Sequence, residues 1–463
     1  MLLNDYLVVL MFLTFICFLF TGFPVAWALG GTGVLFAVVG YLADQFLGTT
    51  TGLNFTVLGM AVNRIYKIMD NWVLVAIPMF ILMGLLLDKS GIAEKMMKAM
   101  QEAFGKLSGG LAITVALIGI VLAASTGIVG ASVTLLALLT LPAMLRQGYT
   151  KPIATGIVAA SGTLGILIPP SIMLVIMADQ LALSVGDLFM GAVIPGLILG
   201  VLYIVFIIVL GLIKPQTMPL DPERKAFQLG RILWEVFKSV LPAGSLILAV
   251  LGSIFAGICT PTEASGVGVL GACVLALINK QLNLGVIKGV LKGTFNTTAY
   301  IMAIFIGATI FALVLRSLGG DEFITKVLNG IPFGPYGKIC TILGFVFFLG
   351  FFLDWIEITL IVLPLLAPVI KTLGVEIDGY GVISEPALVW FVLLIAVCLQ
   401  TSFLTPPVGF SLFYLQGVCP PEVKLTDIYR GVVPFIILQL IGLVLTLLYP
   451  QLVLWLPAKA YGY

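Results

Sequence analysis

The sequence contains no histidine and few charged residues, and both absences exclude classes of function. Histidine is the commonest metal ligand and general base in enzymes, so its absence argues against most metal centres and against a Ser-His-Asp triad. Only 10% of the 463 residues are charged, whereas soluble domains carry about 25%. Lys and Arg number 23 and Asp and Glu 21, so the chain lacks the basic surplus of a nucleic-acid-binding protein.

Motifs for enzymes and for ATP-driven transport are missing as well. The six cysteines form no CxxC pair, which favours small hydrophobic side chains over a disulfide or metal site. Neither a GxSxG nucleophile turn nor a phosphate-binding loop occurs. A membrane-embedded enzyme acting on lipid-linked substrates is an alternative, but it would lack a conventional nucleophile and base. The sequence therefore predicts a protein that is not an enzyme.

Apolar residues dominate what is present. They make up 61% of the chain, and the mean hydropathy is +1.20. This composition indicates that lipid is the solvent, so we expect an all-α integral membrane protein in a lipid bilayer. No basic residue precedes the first apolar run, and we expect it to be a retained span. The candidate spans are residues 5–22, 24–43, 110–124, 128–145, 187–213, 233–255, 263–279, 294–316, 338–353, 357–371 and 431–457.

Polar stretches divide the chain into two halves. Residues 88–106 are amphipathic and predict an interfacial helix or arm. Residues 214–231 are the most polar stretch and lie at mid-chain. We therefore expect a first membrane repeat at 1–213, a polar linker at 214–231 and a second membrane repeat at 232–463.

The two halves share a sequence pattern. Residues 165–195 and 402–434 each contain Pro-Pro, an apolar stretch, Asp-(Leu/Ile)-(Phe/Tyr)-x-Gly and then Val-(Ile/Val)-Pro. Internal repeats with paired broken helices are the sequence sign of a secondary transporter and of its binding site. The matched pairs are Asp187 with Asp427, Gly191 with Gly431, and Pro195 with Pro434.

The two Pro-Pro pairs predict ion sites. Proline has no N–H, so Pro169–Pro170 and Pro406–Pro407 leave carbonyls of the preceding turn without a donor. Bare carbonyls are costly at low dielectric, and a desolvated sodium ion is a suitable partner. The alternative is a proline kink that neighbouring helices satisfy. The carbonyls expected to be free are those of Gly165, Ile166, Ser402 and Phe403, with hydroxyls nearby from Ser161, Thr163, Ser171, Thr401, Ser402 and Thr405.

Shorter motifs add polar groups within apolar sequence. ASTGIVGASVT at 124–134 is rich in small residues, which suit either close helix packing or ion binding. TPTE at 260–263 looks like a helix start, so Glu263 is expected to stabilise a helix N-terminus more than to bind an ion.

A pair of carboxylates stands in LDWIEIT. Asp354 and Glu357 are three residues apart, hence on one helix face, and intramembrane carboxylates usually face an interior pathway. The alternative is that both are wet at the interface. Asp354 matches Ser132 when each is counted back from the Leu-Pro that closes its run. We hypothesise that Asp354 is an ionised interior group that lends its charge to a sodium site.

Six pieces of the chain resemble one family, and together they run through essentially its whole length. They are AIPMFILMG (76–84), ASTGIVGAS (124–132), SGTLGILIPPSIMLVI (161–176), GDLFMGAVIPG (186–196), GICTPTEASGVGV (257–269) and LTPPVGF (404–410).

These motifs resemble the large membrane subunit, of DctM type, of the tripartite ATP-independent periplasmic (TRAP) transporters. The resemblance implies two inverted repeats with re-entrant helical hairpins and broken helices in an elevator-type ion-transporter fold. It places residues 76–84 in the first hairpin and residues 300–312 in the second. It also implies a multi-pass protein of the bacterial inner (cytoplasmic) membrane.

The family resemblance further implies Na+ coupling and carboxylate substrates. Its partners would be a separate small membrane subunit of DctQ type and a periplasmic substrate-binding protein of DctP type. We therefore expect the large permease subunit of a sodium-coupled importer of small organic acids. A stand-alone sodium/anion symporter of similar architecture is the alternative.

Residue by residue, the resemblance and the broken helices predict the sites. The family commonly has Ser-Gly-Ser where this chain has Thr126-Gly127-Ile128, so side-chain ligation at Ile128 is lost. The predicted metal-site residues are Ser125, Thr126, Gly165, Ile168, Pro170, Asp354, Ser402, Thr405 and Val408. The predicted substrate-binding residues are Ser161, Thr163, Ser171 and Thr401.

Overall fold

The structure is a computed structural model that describes residues 3–104, 107–127, 129–220, 229–375, 377 and 379–462. Over this part of the chain the regular structure is helical, with no strand. Among the described residues, nine helices are long and apolar enough to cross a membrane. The expectation of an all-α, multi-pass membrane protein is confirmed.

The first half begins with apolar helices and ends on a long one. The amphipathic segment predicted at 88–106 contains a separate helix, α5. The helices are α1 (Leu3–Phe20), α2 (Val25–Phe46), α3 (Phe55–Met69), α4 (Ala76–Lys89), α5 (Ile92–Phe104), α6 (Gly110–Thr126), α7 (Val129–Arg146), α8 (Lys151–Thr163), α9 (Ile172–Leu181) and α10 (Val185–Ile213).

The second half contains a π-helical turn, Ile358–Val362, between two of its helices. The predicted span at 431–457 is broken after Leu448, where Pro450 precedes a new helix. The helices are α11 (Leu229–Phe255), α12 (Pro261–Ile278), α13 (Leu284–Ser317), α14 (Gly320–Asn329), α15 (Pro335–Leu349), α16 (Trp355–Glu357), α17 (Leu363–Thr372), α18 (Pro386–Leu404), α19 (Phe410–Val418), α20 (Leu425–Leu448) and α21 (Gln451–Ala460).

Each half contains a helical hairpin followed by a broken helix. In the first half, α6 and α7 form the hairpin, and α8 and α9 are the two parts of the broken helix. In the second half, α15 and the later arm of α16, the π-helical turn and α17 are the two arms of the hairpin, and α18 and α19 form the broken helix, against which α15 packs. Both Pro-Pro bonds lie in the breaks and both are cis. The breaks predicted at Pro169–Pro170 and Pro406–Pro407 are present between these helices.

The hairpin positions inferred from the family motifs are wrong. Residues 76–84 lie inside α4, which packs along α12, and residues 300–312 lie inside α13, which packs along α2. Pro78 does not break α4 because it stands in the first turn, where its missing N–H would have no helical partner. The helices α4 and α13 therefore belong to a framework that joins the two halves.

Glycines bring the broken helix of the first half against the second half. A side chain on Gly156 of α8 would overlap the carbonyl of Gly431, and one on Gly431 of α20 would overlap the carbonyl of Pro152. Small residues at such crossings let helix backbones approach closely in membranes. Gly431 is thus a packing residue. The predicted linker at 214–231 falls partly outside the described residues, so the division into two repeats stays a prediction.

Candidate functional site

The tip of the first hairpin meets the break of the first broken helix. Gly127 follows α6 with a φ of +59°, a conformation that favours glycine. A Cβ built on Gly127 would lie 3.3 Å from the amide nitrogen of Ile172 and 3.5 Å from the carbonyl oxygen of Pro170. A left-handed glycine therefore allows the hairpin tip to contact the backbone beside Pro169–Pro170.

The second hairpin repeats this arrangement. Gly350, at the end of α15, lies against Ser402 in the last turn of α18, so that a side chain on Gly350 would overlap the Ser402 hydroxyl. Ser402 is itself fully buried. Each hairpin tip thus lies against the broken helix of its own half, with Gly127 beside Pro170 and Gly350 beside Ser402.

Serine hydroxyls satisfy part of the backbone at each break. Ser171 donates a hydrogen bond to the carbonyl of Ile166, and Ser411 donates one of 2.7 Å to the carbonyl of Phe403. The expectation that these two carbonyls are free was wrong, because a side chain can replace the donor that proline lacks. The carbonyl of Ser402 also has a donor, the amide of Thr405 at 3.1 Å.

The hydroxyls around the second break point their protons at the helix backbone. Thr401 donates to the carbonyl of Val397 at 2.9 Å, Ser402 to that of Leu399 at 2.9 Å, and Thr405 to that of Thr401 at 2.7 Å. A hydroxyl has one proton and two lone pairs, so each oxygen keeps lone pairs for another partner. This orientation suits a cation and gives no proton to an anion.

The other predicted metal-site residues occupy the same two breaks. Gly165, Ile168 and Pro170 are buried in the first, and Val408 is half-buried in the second. The side chains of Ser125 and Thr126 lie outside the described residues, as does Ile128.

The two acidic side chains of the second hairpin lie in different surroundings. Asp354 is half-buried and caps α16, its Oδ1 accepting a hydrogen bond of 2.9 Å from the amide of Trp355. Glu357 is 1% exposed, and neither of its carboxylate oxygens has a hydrogen-bond partner among the described residues. The buried hydroxyl of Thr359 also has none. Buried charges are normally paired, so these oxygens are suited to a cation.

Two tyrosines extend this acidic region. Tyr300 of α13 interacts electrostatically with Asp354 and Glu357. Tyr414 of α19 interacts electrostatically with Asp354. The ring of Tyr414 packs against Gly130 of the first hairpin, where an added Cβ would lie 2.7 Å from its Cζ. Tyr414 thus links the second broken helix to the first hairpin.

The predicted substrate-binding residues are all fully buried. Ser171 bonds Ile166 as described, Thr401 bonds its own helix, and the hydroxyl of Ser161 has no partner in the described chain. Thr163 lies in a polar cluster between the halves, where the amide of Gln439 donates to Thr163 at 3.2 Å and to the Tyr203 hydroxyl at 2.8 Å. Their assignment to substrate stays a prediction.

Sequence reasoning missed this interior polar cluster. Its fourth member, Gln400 of α18, is fully buried beside the Tyr203 hydroxyl. A glutamine in the middle of an apolar helix was the available signal, because buried amides are costly unless hydrogen-bonded.

Glu263 has the structural role that was expected. Its carboxylate accepts a hydrogen bond of 2.8 Å from the amide of Thr260, whose hydroxyl accepts one of 3.3 Å from the amide of Glu263. This reciprocal capping box fixes the start of α12.

The sequence matches the family model described as tripartite ATP-independent periplasmic transporter, DctM component, over residues 12–452. It is 29% identical to the C4-dicarboxylate TRAP transporter large permease protein of Pseudomonas aeruginosa over 397 residues, covering 85% of this chain and 88% of the relative. It is also 29% identical to the sialic acid TRAP transporter large permease protein of Vibrio cholerae, covering 96% of this chain and 97% of the relative.

A solved structure supports the fold. The YdaH transporter of Alcanivorax borkumensis superposes with a TM-score of 0.57 at 14% identity, covering 88% of each chain. The family match spans residues 12–452, and the Vibrio cholerae relative matches over 96% of this chain. The chain belongs to the DctM family, the large permease component of the tripartite ATP-independent periplasmic transporters.

Proposed function

We propose that this permease is sodium-coupled and imports small organic acids, which a periplasmic substrate-binding protein of DctP type delivers. A small membrane subunit of DctQ type would complete the complex. The observation that supports sodium coupling is the contact between each hairpin tip and its own broken helix. Discontinuous helices in transporters bind coupling ions through backbone and hydroxyl oxygens at such breaks.

The second site suggests the order of binding. Asp354 and Glu357 lie at the returning arm of the hairpin, and no basic side chain pairs with either among the described residues. An anionic substrate would be repelled by these charges until a cation binds. Sodium would therefore bind first and the carboxylate second. This order would couple uptake of the carboxylate to entry of sodium, so that the sodium gradient drives transport.

The arrangement of helices is compatible with an elevator mechanism. The pairs α2 with α13 and α4 with α12 form the framework, whereas the hairpins and broken helices pack on one another. Movement of the hairpins and broken helices together, past this framework, would carry both ion sites without rebuilding them. Largely rigid-body motion of one bundle against another is the usual form of alternating access.

The substrate class rests on the relatives. Proteins 25–29% identical to this chain are named for C4-dicarboxylates, for sialic acid and for isethionate. All three are organic anions, so an organic acid is the substrate class proposed here. A stand-alone sodium/anion symporter is the alternative, and it differs in needing no binding protein.

The test is uptake into proteoliposomes that contain this chain with its small subunit. We expect uptake of the organic acid only with an inward sodium gradient and with the binding protein present. An equal potassium gradient should give none. Saturable uptake without the binding protein would favour the stand-alone symporter, and uptake that ignores sodium would refute sodium coupling.

A further inference from the structure

A cavity with a basic wall lies between the framework and the first broken helix. Its volume is about 290 Å³. One wall comes from α3 and the segment after it, a second from α13, and a third from the end of α9 and the residues around α17. The residues of this cavity that matter here are Arg64, Lys67, Asn71, Asp179, Thr309 and Arg316.

The sequence of α3 explains how its basic residues reach one wall. Arg64 and Lys67 are three residues apart within α3, which places them on one helix face, and Asn71 follows the end of the helix. On α13, Thr309 and Arg316 are two turns apart on the face that lines the cavity. Two separate helices thus direct basic groups at the same space.

The charges in the cavity do not balance. Arg64 and Lys67 make no ion pair with any described carboxylate. Arg316 pairs only with Asp321 among them, with 3.6 Å between its Nε and the Oδ2 of Asp321. Asp179, the carboxylate in the lining, accepts a hydrogen bond from Asn71. Arg64 and Arg316 line the same cavity from two helices that pack on each other, and partial burial together with the Arg316 charge lowers the pKa of Arg64.

Like charges held together at a cavity favour an anion. Guanidinium groups bind carboxylates through two parallel N–H···O bonds, with a geometry that a lysine ammonium does not provide. The hydroxyl of Thr309 donates to the carbonyl of Phe305 at 2.7 Å, so it supplies no competing proton. The recognition would come from the two arginines, with Lys67 adding charge.

The cavity also lies beside the acidic region. Leu360, in its lining, is three residues from Glu357 along the hairpin, and Phe305 is five residues from Tyr300 along α13. The part of the cavity lined by Leu360 is therefore about one helical turn from Glu357. We propose that this cavity is a carboxylate-binding subsite of the permease, in which Arg64 and Arg316 hold the carboxylate of the organic acid.

This subsite rests on the proposed organic-acid substrate, but its test does not need transport. The purified complex of this chain and its small subunit would be titrated with succinate, pyruvate and benzoate, with benzamide as the uncharged analogue. Binding is read as ligand-dependent thermal stabilisation, in sodium chloride and in choline chloride.

We expect at least one of the three carboxylates to stabilise the native complex and benzamide to have no effect. Arg64→Gln and Arg316→Gln should each raise the apparent dissociation constant roughly tenfold or more, as expected for loss of a charged hydrogen bond. Arg64→Lys should recover only part of the loss, because the paired geometry is gone.

Two control variants separate binding from folding. Lys288→Gln removes an exposed charge elsewhere on α13 and should leave binding unchanged. Asp321→Asn removes the ion partner of Arg316 and should leave binding equal or tighter. Unchanged affinity in both arginine variants, or no stabilisation by any of the three carboxylates, would overturn the subsite. Normal binding without sodium-driven uptake would overturn the proposed sodium coupling instead.

Discussion

The two hairpins share one frame but differ in charge. The first has a short tip at Gly127, and its break is built from small and apolar residues. The second has a longer tip, residues 350–354, and adds Asp354 and Glu357. The shared frame brings a hairpin tip to a broken helix twice, while the side chains decide which of the two sites is acidic.

The π-helical turn marks where the second hairpin departs from the first. It spans Ile358–Val362, and such turns are frequent at functional sites. Counting back from Leu-Pro had equated Asp354 with Ser132. In the structure Ser132 is one turn inside α7, whereas Asp354 caps α16 at the tip. The second site is thus acidic at its tip, where a cation would meet the broken helix.

The largest effect is expected from disrupting the contact between the second hairpin tip and its broken helix. Gly350→Val would force a side chain into Ser402, so the tip could no longer sit on the broken helix. We expect sodium-driven uptake to be lost. Gly344→Val on the same helix has no neighbour within 4 Å and should transport normally. Normal uptake by Gly350→Val would show that the tip contact is dispensable.

A smaller but still large effect is expected at the acidic tip. Asp354→Asn keeps the shape and the helix cap but removes the charge, so the half-saturating sodium concentration should rise roughly tenfold or more. Glu322→Gln, an exposed carboxylate on α14, is the control. The measurement is uptake against sodium concentration in the assembled complex. An assembled Asp354→Asn complex with wild-type sodium dependence would remove Asp354 from the site.

The smallest effect is expected from one neutral ligand. Thr405→Val removes the hydroxyl beside the second break and should raise the half-saturating sodium concentration by only a few-fold, with a lower Hill slope. Thr341→Val is a matched control, since Thr341 also bonds the carbonyl four residues earlier but lies on the exposed side of α15. If both sodium parameters stay at their wild-type values in Thr405→Val, that hydroxyl is not a ligand.

The helix breaks could be predicted from the sequence, but the hairpin positions could not. Proline removes a specific hydrogen bond, so Pro169–Pro170 and Pro406–Pro407 could be read as interruptions from local chemistry alone. The hairpin tips depend on Gly127 and Gly350 meeting distant residues, which no local rule specifies. Motif matching placed the hairpins one helix or more away, because apolar helices of similar composition serve both as framework and as hairpin.

The side-chain partners at the site also could not be read from spacing. Ser171 and Ser411 occupy carbonyls that the proline argument had left free, and Ser411 lies eight residues from its acceptor. The cluster of Thr163, Tyr203 and Gln439 joins helices more than two hundred residues apart. Likewise, Arg64 and Arg316 line one cavity only because α3 packs on α13. These contacts are tertiary.

Equilibrium binding of radioactive sodium to the purified complex tests the central claim most directly. If each hairpin tip and its broken helix hold one ion, the wild-type chain should bind two sodium ions. At sodium concentrations that saturate the wild type, Asp354→Asn should no longer bind the ion that the wild type holds more tightly. The exposed-site control Glu322→Gln should bind as the wild type does. Wild-type binding of no sodium, or equal binding by Asp354→Asn and the wild type, would contradict the account.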